Sequence, residues 1–156
     1  MTLIVALVIL VAFSAFFSAS ETAFSSLNQI RLKSRAEDGD GSAARVLALS
    51  EKYDKLLSTI LIGNNIVNIG AASIGTILFT HWLGQERGAT MSTLVLTVVV
   101  LIFGEVTPKS LAKEMPETVA TAVSPVLNLL IVLFTPLNWL FTQWKKLLGH
   151  FVHSGE

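Results

Sequence analysis

Apolar residues run almost without interruption over Thr2–Phe17, Leu56–Leu83, Met91–Phe103 and Thr118–Trp144, and short polar stretches separate these runs. A helix needs about 20 largely apolar residues to cross the hydrocarbon of a bilayer. The pattern predicts an all-α integral membrane protein with three transmembrane helices over about 3–30, 56–83 and 91–113. Short cytoplasmic helices and a proline-broken juxtamembrane or re-entrant segment over 118–146 complete it. The first run is read as a retained span and not a signal peptide, because no basic residue precedes it. Residues 37–42, E-D-G-D-G-S, predict a polar turn, and Ala43 to Lys55 a short amphipathic helix. D-G-D-G lacks the longer ligand spacing of a calcium-binding EF-hand loop. Residues 84–90 read as a polar loop, K-E-M-P-E at 113–117 as a break, and Pro125 and Pro136 as interruptions of the last run.

Composition agrees with a membrane location. The chain of 156 residues is 52% hydrophobic and 14% charged, against about 25% charged in soluble domains. Its 11 basic residues balance its 11 acidic ones, which points to no nucleic-acid partner. The absence of cysteine excludes disulfides, thiol catalysis and thiolate metal sites. His150 and His153 have a spacing that allows chelation, and chain-end interfacial residues are the plainer reading.

Basic residues set the expected orientation. Arg31, Lys33, Arg35, Arg45, Lys52 and Lys55 lie between the first two spans, and only Arg87 between the second and third. Basic connections face the cytoplasm, so 31–55 is expected inside and the N-terminus outside. Lys109, Lys113, Lys145 and Lys146 put both ends of the 118–144 run on that same side, which favours a re-entrant element. Its apolar length leaves a simple fourth span open.

Polar groups interrupt the apolar runs in three places. The first is S-A-S-E, with Ser18, Ser20 and Glu21; the second is G-N-N-I-V-N-I-G, with Asn64, Asn65 and Asn68; the third is F-G-E-V-T-P-K-S, with Gly104 and Glu105. Ionisable residues inside spans generally mark function. Pro108 lacks an amide hydrogen and stands four residues after Gly104, so a helix here leaves the Gly104 carbonyl without its usual donor. Hydroxyl, amide, carbonyl and carboxylate oxygens suit hard cations such as magnesium, calcium, manganese or sodium. Blander roles compete: the asparagines as interhelical glue, the serines bonded to their own backbone, and Glu105 paired with Lys109 one turn on.

F-F-S-A-S-E-T-A-F, L-L-S-T-I-L-I-G-N-N-I-V-N-I-G and G-E-V-T-P-K-S-L-A, in that order, resemble the transmembrane module of the CorC/CNNM family from Phe16 to about Trp144. The resemblance implies a magnesium transporter and not an enzyme: a homodimer in the cell membrane that exports magnesium in exchange for sodium, with a cytoplasmic C-terminus. Its metal site would fall on Ser18, Asn65, Asn68, the Gly104 carbonyl and Glu105, with Ser20 and Asn64 as neighbouring choices. Family members continue into cytoplasmic CBS domains that bind ATP. This sequence stops at Glu156 and reads as the membrane module alone. Sodium is expected to compete at Glu105 or to use Glu21. A membrane anchor and dimerisation module without transport, or a proton carrier using Glu105 as relay, are the rival readings.

Overall fold

The computed structural model describes residues 1–154. The side chain of His153, a candidate chelator above, lies outside what is described. The described residues form helices α1 (Thr2–Ser25), α2 (Gln29–Glu37), α3 (Gly41–Glu51), α4 (Tyr53–Leu83) and α5 (Gln85–Val99). A π segment (Val100–Val106) joins α5 to α6 (Thr107–Glu114), and α7 (Pro116–Leu133) and α8 (Thr135–Ser154) follow. Four helical stretches are long and apolar enough to cross a membrane: Thr2–Ser25, Tyr53–Leu83, Gln85–Glu114 and Pro116–Leu133.

Local chemistry accounts for the boundaries. The first helix ends at Ser25 and not near residue 30, because Asn28 starts a new one: its side-chain oxygen accepts the Arg31 amide at 3.1 Å. Asp40 caps α3 in the same way, accepting from the amides of Ser42 at 3.0 Å and Ala43 at 3.2 Å. The polar loop expected over 84–90 shrinks to Gly84, whose φ of 85° is open to glycine, and helix-forming Gln85, Glu86 and Arg87 begin α5 at once.

Pro125 does not interrupt α7. A proline at this position leaves the Thr121 carbonyl without a helical donor, and the Ser124 hydroxyl supplies one at 3.0 Å. The break comes instead at Phe134, and Pro136 sits in the first turn of α8, where a missing amide hydrogen costs nothing.

Helix α1 packs along α4 and against the π segment and α6, while α4 and α5 form an antiparallel pair. The main core gathers where α1 ends and α4 begins. Phe17 and Phe24 of α1 meet Leu56 and Ile60 of α4, and Leu32, Val46 and Leu49 of the amphipathic helices α2 and α3 close over them with Leu127 of α7. Toward the other end only Leu7, Ala71 and Leu78 form a small second cluster. Glycine sets the closest approaches: a Cβ on Gly63 would fall 2.2 Å from the Phe17 ring, and one on Gly88 would fall 2.6 Å from the Thr80 backbone.

An ionic network ties α7 to the α2–α3 corner. Arg35 donates to Asp40 at 2.7 Å and to Glu117 at 3.0 Å, and Arg31 lies 3.7 Å from Glu117. The Arg35 hydrogen bond, with the amide of Ala43, holds the Asp40 carboxyl below the usual carboxylate range. A lowered folded value means that the contribution is present above the unfolded pKa and is lost as pH falls through the lowered one. An NMR titration of the Ser42 and Ala43 amides is expected to move only below the ordinary aspartate range, and in Arg35→Gln at higher pH. A midpoint unchanged by that substitution would separate the turn from Arg35.

The same network fixes the path of the last helices. Glu117 starts α7 beside α2, whereas Val126 and Leu130 border a groove with Ile9 and Phe13, well inside α1. Helix α8 then returns: the Asn138 side-chain amide donates to Thr59 of α4 at 3.0 Å, and Trp144 and Lys145 share a groove with Asp54 and Leu57. Both ends of this segment therefore lie at the end of the bundle where α4 begins.

Candidate cation site

The arrangement starts from helix spacing. Ser14 and Ser18 stand four apart and share a face of α1, and Asn64 and Asn68 stand four apart on α4. Where the two faces cross, the Ser14 hydroxyl donates to the Asn64 side-chain oxygen at 3.4 Å. The π segment closes the third side. A Cβ on Gly104 would sit 3.0 Å from Ser14 Oγ, so the bare glycine lets its backbone approach α1. Ser14, Ser18 and Gly104 are buried. Glu105 follows Gly104, is half-buried, and takes part in no ion pair among the described residues. The expected competitor, a Glu105–Lys109 bridge, does not form.

The π segment alters the argument from Pro108. The Thr107 amide bonds to the Ile102 carbonyl, five residues back, and not to Phe103. In this wider register Pro108 stands opposite Phe103, and in the α register opposite Gly104. The Phe103 carbonyl thus loses both helical donors, and Gly104 loses the one four residues on. Two adjacent carbonyls, where the sequence pointed to one, lie short of donors beside the carboxylate. π-Bulges of this kind are frequent at functional sites.

The predicted site residues divide by helix face. Asn64 and Gly104 meet Ser14, Ser18 shares its face of α1, Glu105 follows Gly104, and Asn68, one turn on from Asn64, borders a groove with Ser92, Thr93 and Thr97 of α5 and Val100 of the π segment. The Asn68 side-chain oxygen is buried without a hydrogen-bond partner, as an acceptor awaiting a ligand would be. Ser20 stands two residues from Ser18 and so on another face, and its hydroxyl is spent on the Phe16 carbonyl at 2.7 Å. Asn65 is exposed on the outer side of α4, and Glu21 is exposed near the end of α1. Ser14 is the member that the motifs missed. Its signal is its spacing: a lone hydroxyl four residues before Ser18 in an otherwise apolar run. No cluster of three or more His, Cys, Asp or Glu able to hold a metal occurs among the described residues. Glu105 is the carboxylate placed beside Gly104, among neutral oxygens of Ser14 and Asn64.

Three relatives illustrate the comparison with known proteins. The chain is 46% identical to the UPF0053 inner membrane protein YfjD of Escherichia coli (strain K12) over 135 residues, 86% of this chain and 31% of that protein. It is 41% identical to a UPF0053 protein of Haemophilus influenzae over 151 residues, 97% of this chain and 36% of that protein. It is 31% identical to the polyamine export protein of Salmonella typhimurium over 144 residues, 85% of this chain and 32% of that protein. The chain spans about a third of the length of each of these three relatives. Its apolar helices and these relatives mark a multi-pass membrane protein. The family model for the cyclin M transmembrane N-terminal domain matches residues 5–153, and the chain belongs to that family, CNNM.

Proposed function

We propose that this chain carries magnesium ions across the membrane by alternating access and exports them in exchange for sodium. The observation that carries the reading is the half-buried, unpaired Glu105, set beside donor-poor carbonyls and the Ser14–Asn64 contact. In this reading the ion exchanges part of its water for oxygens of Ser14, Ser18, Asn64, Asn68, Gly104 and Glu105. Asn65 and Ser20 fall outside that set. One carboxylate among neutral ligands holds a divalent ion loosely enough for release. Sodium competes for the same carboxylate, and that competition couples the two gradients.

The proposed topology has three crossings, with the N-terminus outside and α2 and α3 in the cytoplasm. The α7–α8 pair enters and leaves on the cytoplasmic side. The return of α8 to the beginning of α4 supports this over a fourth crossing. A homodimer is proposed because Asn65 lies on the exposed face of α4, among Leu61, Ile66 and Ile69, where lipid satisfies no amide. Nucleotide acts only through cytoplasmic domains outside this sequence.

Polyamine export is a second reading, favoured by the relatives that bear that name. An ammonium group also takes oxygen ligands around one carboxylate. Purified protein in vesicles loaded with magnesium is expected to release it faster when sodium is supplied outside, with spermidine neither carried nor inhibitory. Spermidine flux without magnesium flux would give the site to polyamines, and no flux of either would leave a membrane anchor.

A further inference from the structure

We propose that the groove between the start of α4 and the α7–α8 hairpin holds the headgroup of an anionic phospholipid bearing hydroxyl groups, of the phosphatidylglycerol type. The groove, of about 380 Å³, is bordered by Lys55 of α4, Ile131 of α7, and Asn138, Trp139, Gln143 and Lys146 of α8. Two lysines thus face one depression that no carboxylate lines, and neither is in an ion pair among the described residues. Like charges brought together without a counter-ion repel, and a phosphate between them reverses the sign.

The second observation is Asn138. It is 7% exposed, and its amide nitrogen is fixed on the Thr59 hydroxyl at 3.0 Å. That hydroxyl in turn donates to the Lys55 carbonyl at 2.8 Å, so Asn138 is tied to the turn that carries the lysine. The Asn138 side-chain oxygen has no partner. It is an acceptor in want of a donor, which a headgroup hydroxyl supplies and an ionised phosphodiester alone does not. The threonines of the groove offer no competing donor, since Thr135 and Thr142 spend their hydroxyls on the carbonyls of Ile131 and Asn138.

Lipid, and not a soluble phosphate ester, is the occupant because the wall is mixed. Ile131 and exposed Trp139 continue the groove into the apolar surface of α8, where acyl chains lie. Tryptophan and lysine together mark the membrane–water boundary, and basic pockets between membrane helices take anionic headgroups. The site is independent of Glu105 and stands whether or not the chain carries magnesium.

The test uses the full chain, stripped of lipid in a neutral detergent, with thermal unfolding and native mass spectrometry as readouts. Phosphatidylglycerol is expected to raise Tm by about 4 °C or more at saturation, and phosphatidylcholine to raise it little. Lys55→Gln with Lys146→Gln loses most of that shift and the retained lipid mass. Lys33→Gln with Arg45→Gln, which removes the same charge from exposed positions of α2 and α3, keeps both. A full shift in the Lys55/Lys146 variant overturns the site, as does an equal response to phosphatidylcholine. An equal loss in the control pair makes the effect one of net charge and also overturns it. Glycerol phosphate reproducing the whole shift would make the occupant a soluble phosphate and not a lipid.

Discussion

Glu105→Gln is expected to weaken magnesium binding, measured by calorimetry on the purified protein, by at least about a hundredfold. Attraction between a divalent ion and a carboxylate is worth several kcal/mol even at an effective dielectric of about 20, and each 1.4 kcal/mol is about a factor of ten. The substitution keeps the shape of the side chain and one oxygen, so it removes charge and little else. Glu105 has no ion pair to break among the described residues, which keeps the result free of a stranded lysine. Sodium is expected to weaken magnesium binding in the wild type and to have no further effect in the variant. Wild-type affinity in Glu105→Gln would remove the carboxylate from the site. Binding absent from the wild type as well would favour the anchor reading, or a site that forms only with the rest of a longer chain.

Gly63→Val is the second large effect. A Cβ at this position falls 2.2 Å from the Phe17 ring, and that ring is 4% exposed in the main core, edge-on to Phe16. The ring must turn into the groove that it borders with Phe13, Val126 and Leu130, giving up its packing in the core, or α1 and α4 must part. Overpacking of this kind costs about 1–3 kcal/mol, which corresponds to a fall in Tm of about 3–10 °C for a chain of this size. Gly63 precedes Asn64, so parting the helices also pulls the Ser14–Asn64 contact apart, and magnesium binding is expected to fall with stability. Phe17→Leu in the Gly63→Val background should restore part of both by shortening the side chain that collides. A variant as stable as the wild type, with intact binding, would show that the α1–α4 crossing tolerates side chains here.

Much of the architecture was legible because one rule dominates in lipid. Backbone groups must be satisfied within the segment, so a long apolar run is a helix whatever its neighbours are. Hence the run Leu56–Leu83 lies within α4, and Met91–Phe103 lies within the helical stretch that starts earlier, at Gln85, and continues through the π segment. The main errors came where a side chain or a helix former acted on the backbone. Asn28 began a new helix, Gln85–Arg87 coiled a stretch that looked like a loop, and Ser124 supplied the donor that Pro125 removed. Such repairs depend on single hydrogen bonds, which composition does not reveal.

The sequence by itself determined the chemistry available: one acid just past the apolar third run, a carbonyl four residues before a proline, and serines and asparagines in otherwise apolar stretches. It also determined the period, and with it the pairing of Asn64 with Asn68 on one face. What only the tertiary structure decided is which face meets which. A serine two residues from another points elsewhere on a helix, so Ser18 and Ser20 were never equivalent. The α1–α4 crossing at Phe17 and Gly63 puts Asn64 against Ser14 and leaves Asn65 exposed, a placement that spacing alone does not give. That crossing brought in Ser14, which no motif contained. The register of the π segment, which packs against α1, likewise extended the proline's missing donor to Phe103 as well as Gly104, and the apolar run of the local sequence carried no sign of it.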